Sequence, residues 1–186
     1  MARVTGNSLL RGLSGTLGNI TIRQVGKETI VSAAEGPKKA PPSEKQLIQR
    51  QRMHLARCYS EILKQDPALK ALYATGITDR LKNARLVAIS DFMNSPEVLG
   101  ADLSAYRGRP GDGIRLYATD DFAVVGVEAR LYSAADQLLT QGPAVLQPDG
   151  CWLFRLPPAG LPQSATRLDV VASDRPGNHT LRQFPL

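Results

Sequence analysis

Lysine is missing from the last hundred residues of this chain: all seven lie at or before position 82. Residues 1–100 carry 15 Lys and Arg against 8 Asp and Glu, whereas residues 101–186 carry 8 Arg against 9 Asp and Glu. A basic part is therefore followed by a near-neutral, slightly acidic one, which excludes a uniform surface and implies two parts with different contacts. Aromatic residues are scarce, at 5%, and none is interleaved with the basic cluster, so a base-stacking platform is not indicated. Two cysteines, Cys58 and Cys151, stand in different halves. They give neither a disulfide framework nor a thiolate metal motif, and both are expected to be buried thiols. His54 and His179 lie far apart in the sequence, and neither stands in a three- or four-ligand pattern, which argues against a zinc site. No apolar run approaches the length of a membrane span. The first residues, MARVTGNSLLRGLSG, hold no apolar core of a secretory signal. The expected location is cytoplasmic by default, or outside the cell by a signal-independent route.

What is present reads as a globular α+β chain of 186 residues with 42% apolar and 22% charged residues. Residues 1–36 form an N-terminal arm and β-hairpin. Glycines 12, 15 and 18 punctuate the arm. Asn19–Gln24 and Glu28–Ala33 are two short alternating runs around Gly26, the pattern of a hairpin. Residues 37–98 form a basic unit of three helices. After the linker GPKKAPP, Ser43 and Gln46 match a capping box. A helix is predicted from about Glu44 to Leu63, with Ile48, Leu55, Tyr59 and Ile62 as its buried stripe. Asp66-Pro67 starts a second helix, with Gly76 as its C-terminal cap. A third covers roughly Arg80–Met93, with Leu81, Ala84, Ala88 and Phe92 on one face. Residues 99–186 read as an all-β sandwich of immunoglobulin-like type. Its strands are Gly113–Thr119, Phe122–Tyr132, Leu138–Gln147, Cys151–Leu156, Arg167–Ser173 and His179–Phe184, with Trp152 in the core.

No catalytic constellation emerges from these residues. The glycines Gly12, Gly15 and Gly18 lack the spacing, preceding strand and following Lys of a phosphate loop. Ser14, Ser43 and Ser90 have no nucleophile-elbow context. Asp120, Asp121 and Asp174 fall at predicted loop ends, where oxygen ligands can hold calcium. Asp and Asn are also ordinary turn formers, and the turn reading is preferred. Neither a metal nor a cofactor is expected, and the chain is not expected to be an enzyme.

Two groups of motifs carry a resemblance. Gly15-Thr16-Leu17-Gly18-Asn19, the hairpin, Ser43 to Gln46 and the arginines Arg50 and Arg57 resemble the first half of a Bacteroidota-type family. Ala118-Thr119-Asp120-Asp121-Phe122 and Asp174-Arg175-Pro176-Gly177-Asn178 are similar to motifs of bacterial Ig-like modules. The resemblance spans most of the chain and implies a fold, with no activity to carry over.

The expected role is a self-assembling structural protein: a filament, a tube or a surface-assembly subunit. Leu9, Leu10, Leu13, Leu17, Ile20, Ile22, Ile30 and Val31 are the expected apolar anchors. Arg23, Lys27 and Arg50 are the expected charge partners of the Asp120–Asp121 turn on a neighbouring copy. One alternative is a nucleic-acid-associated protein that neutralises phosphates with Lys38, Lys39, Lys45, Arg50, Arg52, Arg57 and Lys64. Another is an adhesin-like module binding through the sandwich loops.

Overall fold

Ile20 and Ile22 alternate with Thr21 and Arg23, and that alternation builds a strand. The computed structural model describes residues 2–4, 12–26, 28–34, 41–161 and 164–186. Two units divide the chain, Met1–Leu47 and Ile48–Leu186.

In the first unit, the predicted hairpin is present as β3 (Ile20–Val25) and β4 (Glu28–Ala33). The residues before it are more than an arm. β1 (Ala2–Val4) pairs with β4, and β2 (Gly15–Leu17) pairs with β3. The result is a four-stranded antiparallel sheet ordered β1-β4-β3-β2. Gly18 has φ +56°, a left-handed conformation that lets the β2–β3 turn close within two residues. Cross-strand pairing puts Leu17 beside Ile20 and Ile22 beside Val31 on one face. Only Ile22 and Thr29 are buried among the described residues of this sheet. The helix that follows opens with the predicted capping box: Ser43 N–H donates to Gln46 Oε1 at 3.1 Å, and Gln46 N–H donates to Ser43 Oγ at 3.4 Å.

That helix, α1, spans Glu44–Glu61 and tightens into a 3-10 turn at Ile62–Lys64. Its predicted buried stripe is corrected: Ile48, Leu55 and Ile62 are exposed, and Tyr59 is half-buried. The buried positions are Ala56, Ser60 and Leu63. Small residues face inward here because neighbouring groups approach closely. Arg85 donates to Ser60 Oγ at 3.2 Å and to Glu61 Oε1 at 2.7 Å. Cys58, expected to be buried, is exposed, whereas Cys151 is buried. α2 spans Pro67–Ala74, capped by Asp66, which accepts from Leu69 N–H at 2.9 Å. α3 spans Ala84–Met93, four residues shorter at its start than predicted, because Asn83 caps it by accepting from Leu86 N–H at 3.0 Å. Leu63, Tyr73, Ala84, Val87 and Ala88 form one apolar cluster, with Tyr59, Leu69, Leu81 and Phe122 packed against it.

Two further four-stranded antiparallel sheets follow. One is ordered β5 (Glu97–Asp102), β6 (Gly113–Thr119), β10 (Trp152–Arg155), β9 (Val145–Leu146). The other is ordered β12 (His179–Pro185), β11 (Arg167–Asp174), β7 (Val124–Tyr132), β8 (Leu138–Pro143). β5 has no counterpart among the predicted strands. Both sheets feed a single core: Ile114, Leu116, Trp152 and Phe154 from the first, Val127, Ala129, Leu131, Leu168, Val170 and Ala172 from the second. Val125, two residues before Val127 on β7, is exposed. Arg182 on β12 donates to the carbonyls of Val98 and Leu99 on β5, at 2.8 and 2.9 Å, and so ties the two sheets at one side.

Gly76 acts through packing and not as the predicted cap. A Cβ there would meet Val87 Cγ1 at 2.8 Å and Phe122 Cδ2 at 2.9 Å. Contacts that short force a shift in the small cluster. Gly76→Ala is expected to destabilise the chain by about 1–3 kcal/mol, read as a fall in melting temperature by circular dichroism. An unchanged melting temperature would contradict the packing account.

Candidate functional site

Three aspartates arrive at one place from three separate elements. Asp91 sits in the last turn of α3, Asp120 in the turn after β6, and Asp174 at the end of β11. Ligand oxygens from all three lie within 4.8 Å of one another. Asp120 and Asp174 are turn formers, as expected. Asp120 Oδ2 accepts from Ala123 N–H at 3.3 Å. Asp174 Oδ1 accepts from the backbone N–H groups of Gly177 and Asn178, at 2.9 and 2.6 Å. Gly177 has φ +97°, which the turn needs and which a side chain would disfavour.

Asn178 joins these elements. Its Nδ2 donates to Asp174 Oδ2 at 2.6 Å and lies 3.3, 3.2 and 3.0 Å from the carbonyl oxygens of Asp91, Phe92 and Asn94. It therefore satisfies carbonyls that the end of α3 leaves open. On the helical side, Tyr73 O–H donates to Asp91 Oδ2 at 2.5 Å. With that proton committed, Tyr59 donates to Tyr73 at 2.8 Å. Tyr73 also stacks on Phe122, with ring centroids 4.7 Å apart.

The site is electrostatically unbalanced. Asp91 is 0% exposed and Asp174 5%. Burial pushes the Asp91 carboxyl up to about 7, and the nearby Asp120, Asp174 and Asp121 push the same way, against the Tyr73 hydrogen bond. Burial also raises Asp120, with Asp121 and Asp174 adding to the effect. Two buried oxygens, Asp91 Oδ1 and Asp120 Oδ1, have no hydrogen-bond partner among the described residues. Buried carboxylate oxygens are ordinarily satisfied, so two orphans in one cluster call for an explanation.

The other predicted residues do not converge in this way. Leu13, Leu17, Ile20 and Arg23 are exposed, Ile30 and Val31 half-buried, and Ile22 buried, all on or beside the N-terminal sheet. Leu9, Leu10, Lys27, Lys38 and Lys39 lie outside the described residues. Lys45, Arg50, Arg52 and Arg57 are exposed on α1. Lys45 and Arg52 are seven apart, as are Arg50 and Arg57, so the charges form two stripes roughly 120–140° apart. Arg52 Nη2 also donates to Met93 O at 3.2 Å, and Lys64 pairs with Glu61. Asp120 is not the free acidic contact that was expected, because it turns into the carboxylate cluster. Asp121 is exposed but engaged, accepting from Ser90 Oγ at 2.8 Å and Asn94 Nδ2 at 2.7 Å. Asp91 is the member that sequence reading passed over. Its signal was an acidic residue on the apolar face of α3, at the spacing of Ala84 and Ala88.

The pH dependence follows from the direction of the Asp91 shift. The folded state keeps a proton that the unfolded state releases near pH 4. Stability in chelator-treated buffer is therefore expected to fall as pH rises from about 4 to about 7, and this loss levels off above that. Tyr73, Asp120, Asp174 and Asp121 are the groups facing Asp91, and Tyr59 reaches it through Tyr73. Urea titrations across that range, on the parent chain and Asp91→Asn, test this. The variant should have the shallower slope, and equal slopes would contradict the assignment.

Among the described residues, no helix is long and apolar enough to cross a membrane. No family model matches the chain, and no curated protein or solved structure matches it.

Proposed function

We propose that this chain is a non-enzymatic structural protein that associates with further copies of itself through the edge of its N-terminal sheet. Its β half serves as an immunoglobulin-like module carried by the assembly. The observation that supports this reading is the state of β2. Other edge strands carry devices that discourage pairing. β5 has Glu97 and Asp102, β8 ends in Pro143, β12 has Arg182 and Pro185, and β9 is two residues long. β1 includes Arg3. β2 is Gly15-Thr16-Leu17, with neither charge nor proline. Leu17 is 77% exposed and the adjoining Ile20 46%.

Among the described residues β2 pairs only with β3, and a strand of another copy laid along its other side would pair with its remaining N–H and C=O groups and cover Leu17 and Ile20. A head-to-tail contact of this kind generates a filament when it does not close into a ring. The basic first half and slightly acidic second half favour such a contact, because unlike surfaces meet. The basic helix supports nucleic-acid binding less well, since its charges are split between two stripes and no aromatic side chain is interleaved with them.

Size-exclusion chromatography with light scattering tests the reading on three chains: full length, a version lacking residues 1–18, and Leu17→Lys. The lysine guards the edge without removing the internal strand pairs. The full-length chain should exceed the 20.1 kDa of one copy, increasingly so with concentration. Both variants should shift to single-chain mass, and Leu17→Lys decides the matter if the truncated chain does not fold. A full-length chain that stays monomeric at high concentration would overturn the proposal. Binding of nucleic acid by that monomer would point to the basic helix instead.

A further inference from the structure

The geometry points to a divalent cation site, of calcium type, formed by Asp91, Asp120 and Asp174 where α3 meets the turn after β6 and the end of β11. Acidic residues close together are common and mean little alone. The added observation is the pair of orphan oxygens. Asp91 is fully buried, and its Oδ1 has no partner among the described residues. Asp120 Oδ1 is likewise buried and unpartnered. A carboxylate offers about four lone-pair positions. The existing donors occupy Asp91 Oδ2, Asp120 Oδ2 and both oxygens of Asp174. What is left bare are two oxygens of a cluster whose three members already lie within bridging distance.

An ion explains this better than water or side-chain donors do. The donor set is all oxygen, with neither nitrogen nor sulfur, which selects hard cations. Calcium takes oxygens at ~2.3–2.6 Å, so two ligands of one ion stand at most about 5 Å apart. The observed limit of 4.8 Å falls inside that sphere. Magnesium at ~2.0–2.1 Å demands a tighter, near-octahedral set and sheds its waters reluctantly. Two or three buried negative charges, with no Lys or Arg in an ion pair with them among the described residues, are balanced by a charge of +2. Access is through Asp120, which is only half-buried.

The consequence is structural. The three ligands belong to the helical segment, the turn and the second sheet; Asn178 ties the second sheet to the helix end, and Asp121 ties the turn to it. A bound ion adds a further clasp at the same junction. By sequence alone, Asp120, Asp121 and Asp174 are the oxygen ligands available at the loop ends. The structure replaces Asp121 with Asp91, since Asp121 is committed to Ser90 and Asn94.

The test uses full-length protein freed of cations by chelating resin, at pH 8, with calorimetric titration of CaCl2 and thermal melts in Ca2+, Mg2+ or chelator. The expected result is saturable binding of one Ca2+ per chain, a melting temperature higher in Ca2+ than in chelator, and a smaller rise in Mg2+. Asp120→Asn should weaken Ca2+ binding by at least about tenfold, the least expected on disturbing a metal site. In chelator the same variant should melt no lower than the parent, because it removes a repelling charge. A purely structural role for Asp120 would give the opposite sign. Equal melting of the parent in Ca2+ and chelator without heat of binding, an equal response to Mg2+, or an unchanged Ca2+ response in Asp120→Asn would each overturn the assignment.

Discussion

Apolar side chains must be covered, and the two units meet that requirement differently. In Ile48–Leu186, two facing sheets bury one continuous core, and a smaller cluster fills the space between α2, α3 and Phe122. Close packing is what makes a side chain at Gly76 costly there. The N-terminal sheet has the right alternation for a buried face but buries little of it. Leu17, Ile20, Ile22 and Val31 share one side; Ile22 is buried and Val31 half-buried, whereas Leu17 and Ile20 are exposed. A sheet in that condition gains stability when something is laid along its open edge, and β2 lacks the charge or proline that would discourage it.

A second constraint acts at the junction of α3 with the β half. Like charges have been brought together under cover, which costs free energy unless protons or a cation compensate. The Tyr59–Tyr73–Asp91 chain and the Asn178 amide fix the geometry, and neither neutralises the charge. The same hydrogen bonds that hold these carboxylates in place thus hold like charges close together. This arrangement suits a site that is completed from outside.

The overall α+β order was legible in the sequence because strong local signals agreed with the tertiary result. Asp66-Pro67, Asn94-Ser95-Pro96 and the Asp174–Asn178 turn all act locally, so neighbouring residues suffice to specify them. Trp152 and the Ala129, Leu131 alternation were likewise readable. The buried side of α1 was not. Counting large apolar residues selects Ile48, Leu55 and Ile62, whereas the buried positions are the small Ala56 and Ser60, the latter bonded by Arg85. β1 and β2 escaped notice because three-residue strands in a glycine-rich stretch have too little pattern to register. Asp91 escaped because its importance depends on residues 29 and 83 positions away, Asp120 and Asp174. Separations of that size are set by topology, which no local window contains.

The claim on which the rest hangs is that the β2 edge is a contact between copies. Hydrogen–deuterium exchange across residues 13–22, followed by mass spectrometry at rising chain concentration, reads that edge directly. Strand pairing across copies predicts that the amides of β2 exchange more slowly as concentration increases, while those of β11, already in the centre of its sheet, do not change. Exchange at β2 that is independent of concentration would contradict the account.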